Sequence, residues 1–245
     1  MKIALLGYGK MGKAIEEIAL SRGHQIGVTI DNEDEWTTKL NDLKGCNMAI
    51  DFSFPSTAVN NMTRCFDLGL PVVVGTTGWY DQLDRMTDLC KAKNASLFVA
   101  SNFSIGMNIM FALNRQMAQL MNRYPGYSVS IAETHHIHKL DAPSGTAITL
   151  ANDIADRMQR CQGWQLVCDP QGNRPEPIDA QAVPITSYRE GEVPGTHVVT
   201  YDSPEDTLTI SHSAKSRKGL ALGAVLAAEY LEGKKGYHTM QDLLA

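Results

Sequence analysis

The order of apolar and polar positions over the first hundred residues predicts strands and helices in alternation. Residues 2–6 form the short apolar run of a buried strand, and apolar side chains then recur at helical spacing from Ala14 to Ala19. Further buried strands are predicted at residues 25–30, 47–52, 71–74 and 95–100. Helical patterns separate most of these strands, which is typical of a doubly wound parallel sheet.

The pattern changes after residue 104. A methionine-rich helix comes first, followed by a strand at residues 127–132 and then a histidine-rich segment. Later strands are predicted at residues 181–188, 196–201 and 207–212, and a last helix at residues 218–231. We therefore expect an α/β Rossmann-like dinucleotide-binding domain, made of residues 1–104 and 217–245. Residues 105–216 would form an inserted α+β domain with a mostly antiparallel sheet, for substrate binding.

A glycine-rich loop links the first strand to the first helix. Gly7, Gly9 and Gly12 have the GxGxxG spacing of a dinucleotide-binding turn. The first glycine allows the tight bend, the second lets the backbone approach a pyrophosphate, and the third permits close packing of helix on strand. Asp31 follows the second strand, where this fold places the carboxylate that binds the adenosine ribose. The alternative is that the glycines only turn the chain.

Ligands of such sheets bind beyond the carboxyl ends of the strands. Residues 75–77 and 101–103 each follow a predicted strand, although either segment alone could be an ordinary turn. We expect the cofactor to contact Gly7, Gly9, Lys10, Met11, Gly12, Asp31, Gly75, Thr76, Thr77, Ser101, Asn102 and Phe103.

A second candidate region lies at residues 133–147. His135, His136, His138 and Lys139 precede a Ser-Gly-Thr segment that should open a helix, since apolar residues then recur at helical spacing. The free N–H groups at a helix start attract anions, and imidazoles exchange protons near neutral pH. The alternatives are a solvated loop or a metal shared by His135 and His138. We expect no metal, because no cysteine pair lies nearby and Lys139 would repel a cation.

Composition narrows the choice of partners and compartment. The chain has 245 residues and a formal net charge of −5, which argues against nucleic acids and anionic membranes as partners. Its five cysteines show no CxxC spacing, and no apolar run approaches the roughly twenty residues of a membrane span. We expect a cytoplasmic protein that binds a small molecule.

Four segments resemble the dihydrodipicolinate reductase family, in that family's order. They are GTTG at 75–78, SNFSIGMN at 101–108, ETHHIHKLDAPSGTA at 133–147 and SHSAKSRKG at 211–219. The resemblance covers essentially the whole chain, and the third segment is its most specific signature.

This resemblance implies an oxidoreductase that uses NADH or NADPH to reduce 4-hydroxy-tetrahydrodipicolinate to tetrahydrodipicolinate in the diaminopimelate route to lysine. The substrate would be a cyclic imine with two carboxylates. By position, His135 matches the family's proposed proton donor and Lys139 the partner that stabilises developing charge. His136 matches a substrate-contacting residue, while Gly145 and Thr146 match residues that hold one carboxylate. The resemblance also adds Ala100 to the cofactor contacts and implies a homotetramer joined through the second domain's sheet.

Two departures from the family pattern bear on the cofactor. The glycine loop is one residue shorter than the usual form, and Asn32 follows Asp31 where many relatives carry arginine. Asp31 should repel the extra phosphate of NADPH, although Lys10 could partly compensate. We expect NADH to be used at least as well as NADPH.

Some alternatives remain at this point. Arg217 is either a residue near the substrate or a surface arginine at a helix start. The chain could also be another amino-acid-type NAD(P) dehydrogenase or a dinucleotide-binding sensor without turnover.

Overall fold

The computed structural model describes all 245 residues and divides into two compact units. The first unit consists of Met1–Ile105 and Arg217–Ala245, and the second of Gly106–Ser216. The second unit is therefore an insertion in the chain of the first.

The first unit has a six-stranded sheet with helices on both faces. Its strands are β1 (Lys2–Leu6), β2 (Gln25–Ile30), β3 (Met48–Asp51), β4 (Val72–Val74), β5 (Ser96–Val99) and β11 (Gly236–His238). Its helices are α1 (Lys10–Ser21), α2 (Glu33–Thr38), α3 (Leu40–Lys44), α4 (Pro55–Asp67), α5 (Leu83–Ala92), α8 (Lys218–Leu231) and α9 (Met240–Leu244), with a 3₁₀ turn at Tyr80–Gln82.

All neighbouring strands of this sheet run parallel, in the order β11-β5-β4-β3-β1-β2. Side chains alternate between its two faces, so that Ile3 and Leu5 belong to one apolar cluster while Ala4 and Leu6 belong to the other. Burial on both faces explains why these strands have continuous apolar sequences. The Rossmann-like fold predicted for this part of the chain is confirmed.

The second unit contains one sheet and two long helices. The helices are α6 (Ile105–Met121), which begins at the last residue of the first unit, and α7 (Gly145–Ala155). The strands are β6 (Ser128–His135), β7 (Trp164–Cys168), β8 (Val183–Arg189), β9 (Thr196–Asp202) and β10 (Thr207–Ser213), in the order β10-β9-β6-β8-β7.

This second sheet is mixed, and the prediction of a mostly antiparallel sheet was wrong. β10, β9 and β6 pair antiparallel, whereas β6 pairs parallel with β8, and β8 pairs parallel with β7. Parallel neighbours need long connections. Helix α7 lies between β6 and β7 in the chain, and residues 169–182 connect β7 to β8, which provides the length that both parallel pairs require.

The two faces of the second sheet differ. Alternate residues of β6, β8 and β9, such as Ile131, Ile185 and Val199, are fully or almost fully buried in a cluster with side chains of α6 and α7. Residues on the opposite face are half-buried or exposed. In the whole structure, none of the helices combines the length and the apolar character needed to cross a membrane.

Candidate active site

The glycine loop of the first unit is shaped by close backbone contacts. Gly7 has a φ of +88°, and a Cβ there would lie 2.4 Å from the Phe52 carbonyl oxygen. A Cβ on Gly12 would lie 2.4 Å from the carbonyl oxygen of Gly7, whereas one on Gly9 would meet no atom within 4 Å. Gly7 and Gly12 therefore pack the loop tightly, and Gly9 leaves open space beside it.

The start of helix α1 faces this space. Gly9 is its N-cap residue, and no side chain caps the first turn, so the helix start presents N–H groups and a partial positive charge. One open cavity is lined by residues of both loops predicted to contact the cofactor, namely Gly9, Lys10, Met11, Gly75, Thr76 and Thr77. This arrangement fits a pyrophosphate group.

Asp31 lies beside the glycine loop at the end of β2. Its Oδ1 accepts a hydrogen bond of 2.9 Å from the Tyr8 backbone N–H. A second cavity is lined by Gly7, Asp31, Glu33 and Trp36 among others. The nearby Arg64 is bound to Glu33 and lies over the Trp36 ring, 5.0 Å from its centroid. This cavity therefore has two carboxylates, and its nearby arginine is already paired.

A buried carboxylate connects the loops that follow β3 and β4. Asp51 is fully buried and accepts hydrogen bonds from Ser53 N–H at 2.9 Å, Thr76 Oγ1 at 2.7 Å and Asn61 Nδ2 at 2.9 Å. Burial raises the pKa of Asp51, and these hydrogen bonds oppose the rise. Sequence reasoning did not single out Asp51, although a carboxylate ending an otherwise apolar strand was a usable signal.

The four residues after β5, all predicted to contact the cofactor, differ in how exposed they are. Ala100 is 9% exposed, Ser101 is exposed, and the Asn102 side chain accepts a hydrogen bond from Ser104 N–H. The ring of Phe103 lies in the core, with its centroid 5.6 Å from that of Phe52. Any cofactor contact of Phe103 would therefore involve its backbone.

In the second unit, β6 carries a row of buried polar side chains. Glu133 is 1% exposed and its neighbours across the strands are Ser187 on β8 and His197 on β9. Glu133 Oε1 accepts hydrogen bonds from Ser187 Oγ at 2.7 Å and from Ser144 N–H at 3.0 Å. Arg189 Nη1 lies 3.7 Å from the same oxygen.

His135 lies two residues further along β6, on the same face of the strand. It is 7% exposed, and its Nδ1 lies 3.2 Å from Glu133 Oε2. The two atoms are within ion-pair distance but are not aligned for a hydrogen bond, and neither has a hydrogen-bond partner elsewhere. Although burial alone would raise the pKa of Glu133, the facing His135 and the hydrogen bonds from Ser144 and Ser187 lower that pKa to about 2. Glu133 is therefore ionised at neutral pH.

His197 completes this cluster. Its ring stands edge-on to that of His135, with centroids 5.1 Å apart, and its Nε2 lies 3.1 Å from Ser144 Oγ. Burial, followed by repulsion from His135, lowers the pKa of His197 to about 4, so this ring is neutral at pH 7. Neither Glu133 nor His197 was among the site residues predicted from the sequence.

Ser144 also determines the start of helix α7. It is the N-cap residue, and its side chain accepts a hydrogen bond of 3.2 Å from Ala147 N–H. Gly145 and Thr146 occupy the first turn, where backbone N–H groups have no carbonyl of the helix to bond with. Gly145 is exposed, and a Cβ there would meet no atom within 4 Å. The helix start can therefore receive an anion.

The other predicted residues lie on the loop between β6 and α7. Lys139 Nζ donates to both oxygens of Asp141, at 2.7 and 2.8 Å, and Arg189 donates to the carbonyls of Lys139 and Asp141. His136 is half-buried with its Nδ1 unpartnered, whereas His138 is exposed and pairs with Glu192.

Two other predictions concern a metal and Arg217. The ligand atoms of Glu133, His135 and His197 all lie within 4.8 Å of one another, which is a different set from the His135 and His138 pair considered above. Arg189 beside Glu133 would oppose a cation at this point.

Arg217 is exposed, and its carbonyl accepts the first hydrogen bonds of α8, from Leu220 and Ala221.

Each half of the chain matches a known protein family. Residues 1–103 match the family described as dihydrodipicolinate reductase, N-terminus, and residues 106–244 match dihydrodipicolinate reductase, C-terminus. The chain belongs to the dihydrodipicolinate reductase family. It is therefore an oxidoreductase that uses NADH or NADPH, in accordance with its Rossmann-like first unit.

Individual members of the dihydrodipicolinate reductase family match along nearly their whole length. A 4-hydroxy-tetrahydrodipicolinate reductase of Christiangramia forsetii is 48% identical over 245 residues, covering 100% of this chain and 98% of that protein. One from Akkermansia muciniphila is 35% identical, covering 96% of this chain and 94% of that protein. A solved structure, dipicolinate-bound dihydrodipicolinate reductase from Paenisporosarcina sp. TG-14, has a TM-score of 0.74 at 22% identity, with coverage of 98% and 97%. At that identity the structure supports the shared fold alone.

The environment of Glu133 predicts how acid affects stability. The pKa of Glu133 in the folded protein, about 2, is below its ordinary value of 4.5. The negative charge of Glu133 therefore stabilises the fold fully above pH 4.5, by a total on the order of 3 kcal/mol. This contribution is lost as the pH falls toward 2. In urea unfolding, Glu133→Gln should have a lower free energy of unfolding than the wild type at neutral pH. The difference should narrow below pH 4.5.

A matched control is Glu205→Gln in the turn between β9 and β10, where the side chain is exposed. We expect this variant to unfold like the wild type at every pH. If the free energies of unfolding of Glu133→Gln and the wild type differed by the same amount from neutral to acid pH, the assigned pKa would be wrong.

Proposed function

We propose that the protein catalyses the NAD(P)H-dependent reduction of 4-hydroxy-tetrahydrodipicolinate to tetrahydrodipicolinate in the diaminopimelate route to lysine. Membership of the family across both units supports this reaction. The observation that carries it at residue level is the hydrogen bond from Ser144 N–H to Glu133. It joins the start of α7 to the cluster that contains His135.

His135 is the proposed proton donor. Reduction of an imine-conjugated bond consumes a proton as well as a hydride, and an imidazolium can donate one near neutral pH. The nicotinamide supplies the hydride when it is bound. His135 is held in a buried, polar environment, which supports its selection over the exposed His138.

The remaining proposed roles concern the substrate's charges. Gly145 and Thr146 would bind one carboxylate through the first-turn N–H groups of α7, and His136 would contact the substrate through its half-buried ring. Lys139 would stabilise charge that develops during reduction. Asp141 holds the Lys139 ammonium in place, and Arg189 holds the backbone carbonyls of Lys139 and Asp141.

A coupled assay tests the reaction and the assigned donor. A purified synthase makes the unstable substrate from pyruvate and aspartate semialdehyde, and loss of NADH or NADPH absorbance reports reduction. We expect turnover by the wild type and a loss of about 10²- to 10⁴-fold in kcat for His135→Ala. Lys139→Ala should also lower kcat.

His138→Ala is the comparison, because this histidine is exposed and contacts only Glu192 and, at 6.0 Å between ring centroids, His136. It should lower kcat far less than His135→Ala does. Absence of turnover by a wild-type protein that binds NADH would refute the proposed reaction, whereas full activity of His135→Ala would refute only the assigned donor.

We also propose that NADH is used at least as well as NADPH. Asp31 and Glu33 both line the cavity beside the glycine loop, and Arg64, the nearby cation, is already bound to Glu33. A phosphate on the ribose would therefore meet negative charge there. We predict a kcat/KM ratio of NADH to NADPH of one or more, and a lower ratio for Asp31→Ser.

The corresponding control is Asp34→Ser, on the exposed side of α2. It should leave the cofactor ratio unchanged. A wild-type kcat/KM that is much higher with NADPH would overturn this proposal.

The proposed assembly is a homotetramer joined through the open face of the second unit's sheet. On this face, central strands present small and β-branched side chains, including Ala132, Thr186, Val198 and Thr200, which are half-buried within one chain. Such a surface can pack against a second copy. The cytoplasmic location proposed for this assembly is supported by five unpaired cysteine thiols.

Light scattering tests the assembly. The wild type should have about four times the chain mass of 26.9 kDa, and Val198→Glu should lower this mass. Gln171→Glu, which adds a charge in an exposed loop, should not. A monomeric wild type would contradict the proposal.

A further inference from the structure

We propose that Glu133 is a positioning residue for the reduction. One of its carboxylate oxygens fixes the Nδ1 side of His135, and the other fixes the start of helix α7. The inference rests on the proposed function, because it assumes that His135 donates the proton and that the helix start binds a substrate carboxylate.

The first contact determines which nitrogen of His135 is available. Glu133 Oε2 lies 3.2 Å from His135 Nδ1, and an ionised carboxylate can only accept hydrogen bonds. The contact is therefore favourable only when Nδ1 carries a proton. This leaves Nε2 as the nitrogen that can give a proton to a ligand and stay deprotonated afterwards.

The position of Gly195 agrees with this orientation. A Cβ at Gly195 would lie 3.0 Å from His135 Nε2, so the missing side chain leaves space on that side of the ring. Gly195 has a φ of +151°, which also disfavours other residues there. The ring is thus held on one edge by Glu133 and left uncrowded at the other.

The second contact extends the arrangement to the anion site. Glu133 Oε1 accepts the Ser144 N–H at 3.0 Å, and Ser144 is the N-cap residue of α7. The same oxygen accepts from Ser187 Oγ, which anchors it to β8. Glu133 therefore links the proposed proton donor to the N–H groups of Gly145 and Thr146 through a single side chain.

The charge of Glu133 matters as well as its shape. The titratable or charged groups around it are His135 on its own strand, Arg189 from β8, His197 from β9 and Asp141 from the loop before α7. His197 is neutral at pH 7, and Arg189 Nη1 lies 3.7 Å away, so His135 is the closest group that can gain a compensating proton. Like the acid of a serine-protease triad, Glu133 places a negative charge beside the ring of the proposed proton donor.

The test compares the wild type, Glu133→Gln and Glu205→Gln in the reductase assay across pH. For Glu133→Gln we expect kcat to fall by roughly 10- to 100-fold. This loss is smaller than the roughly 10⁴-fold loss that follows when the acid of a serine-protease triad is neutralised. The pH at which activity is lost on the alkaline side should move down, because the ring would no longer face a carboxylate. KM for NADH should be unchanged, and Glu205→Gln should match the wild type in every respect.

A second variant separates charge from packing. Ser187→Ala removes one hydrogen bond to Glu133 but leaves the carboxylate charged. We expect Ser187→Ala to lose activity at the same alkaline pH as the wild type; this pH is called the alkaline limit. If Ser187→Ala moved that limit as far as Glu133→Gln does, or if Glu133→Gln lowered kcat without moving it, Glu133 would be a structural residue and the proposal would be wrong.

Nitrogen-15 spectra of histidine-labelled protein give a readout that does not need turnover. The neutral form of His135, assigned by comparison with His135→Ala, should carry its proton on Nδ1 in the wild type and lose this preference in Glu133→Gln. A wild-type ring protonated on Nε2 would overturn the proposal even if Glu133→Gln failed to fold. Lack of reductase activity in the wild type would refute the proposed function instead.

Discussion

A carboxylate that leaves water must be surrounded by hydrogen-bond donors, and this requirement organises the second unit around Glu133. Donors reach it from Ser187 on β8 and from Ser144 at the start of α7, while His135 faces it from its own strand. The register that places Glu133 between Ser187 and His197 is therefore also the register that assembles the polar cluster. Removal of that side chain would leave the Ser144 N–H and the Ser187 hydroxyl without the oxygen to which both donate.

The first unit also contains a buried carboxylate that is surrounded by hydrogen-bond donors. Asp51 is buried at the carboxyl end of β3 and accepts hydrogen bonds from Ser53, Asn61 and Thr76. It thereby fixes the loops after β3 and β4, which line the cavity at the start of α1. Each unit thus has a buried acid near the carboxyl end of a strand, and each acid holds backbone beside a helix start.

Local rules predicted much of the fold. The strand, glycine turn and helix at the amino terminus follow from apolar spacing and from close contacts that only Gly7 and Gly12 permit. The start of α7 was also predictable, because Ser144 is a strong N-cap residue followed by helical spacing. β7 and β11 were missed, since neither is a strongly apolar run: β7 is half-buried throughout and β11 has three residues.

The parts that failed depend on pairing between distant strands. Sequence patterns reveal strands but not their neighbours, so the parallel pairing of β6 with β8 could not be foreseen. The partners of Glu133 were hidden for the same reason, although the period-two spacing of Ile131, Glu133 and His135 places all three on one face. That spacing could have marked Glu133 as a buried charge needing partners. The roles assigned to individual site residues stay predictions.

The most direct test of this account is a crystal structure of the protein with NADH and pyridine-2,6-dicarboxylate, a stable dicarboxylate ring. We predict one carboxylate at the N–H groups of Gly145 and Thr146, with His135 Nδ1 on Glu133 and Nε2 directed to the bound ring. A dicarboxylate bound away from α7, or a His135 ring turned so that Nε2 faces Glu133, would contradict the account.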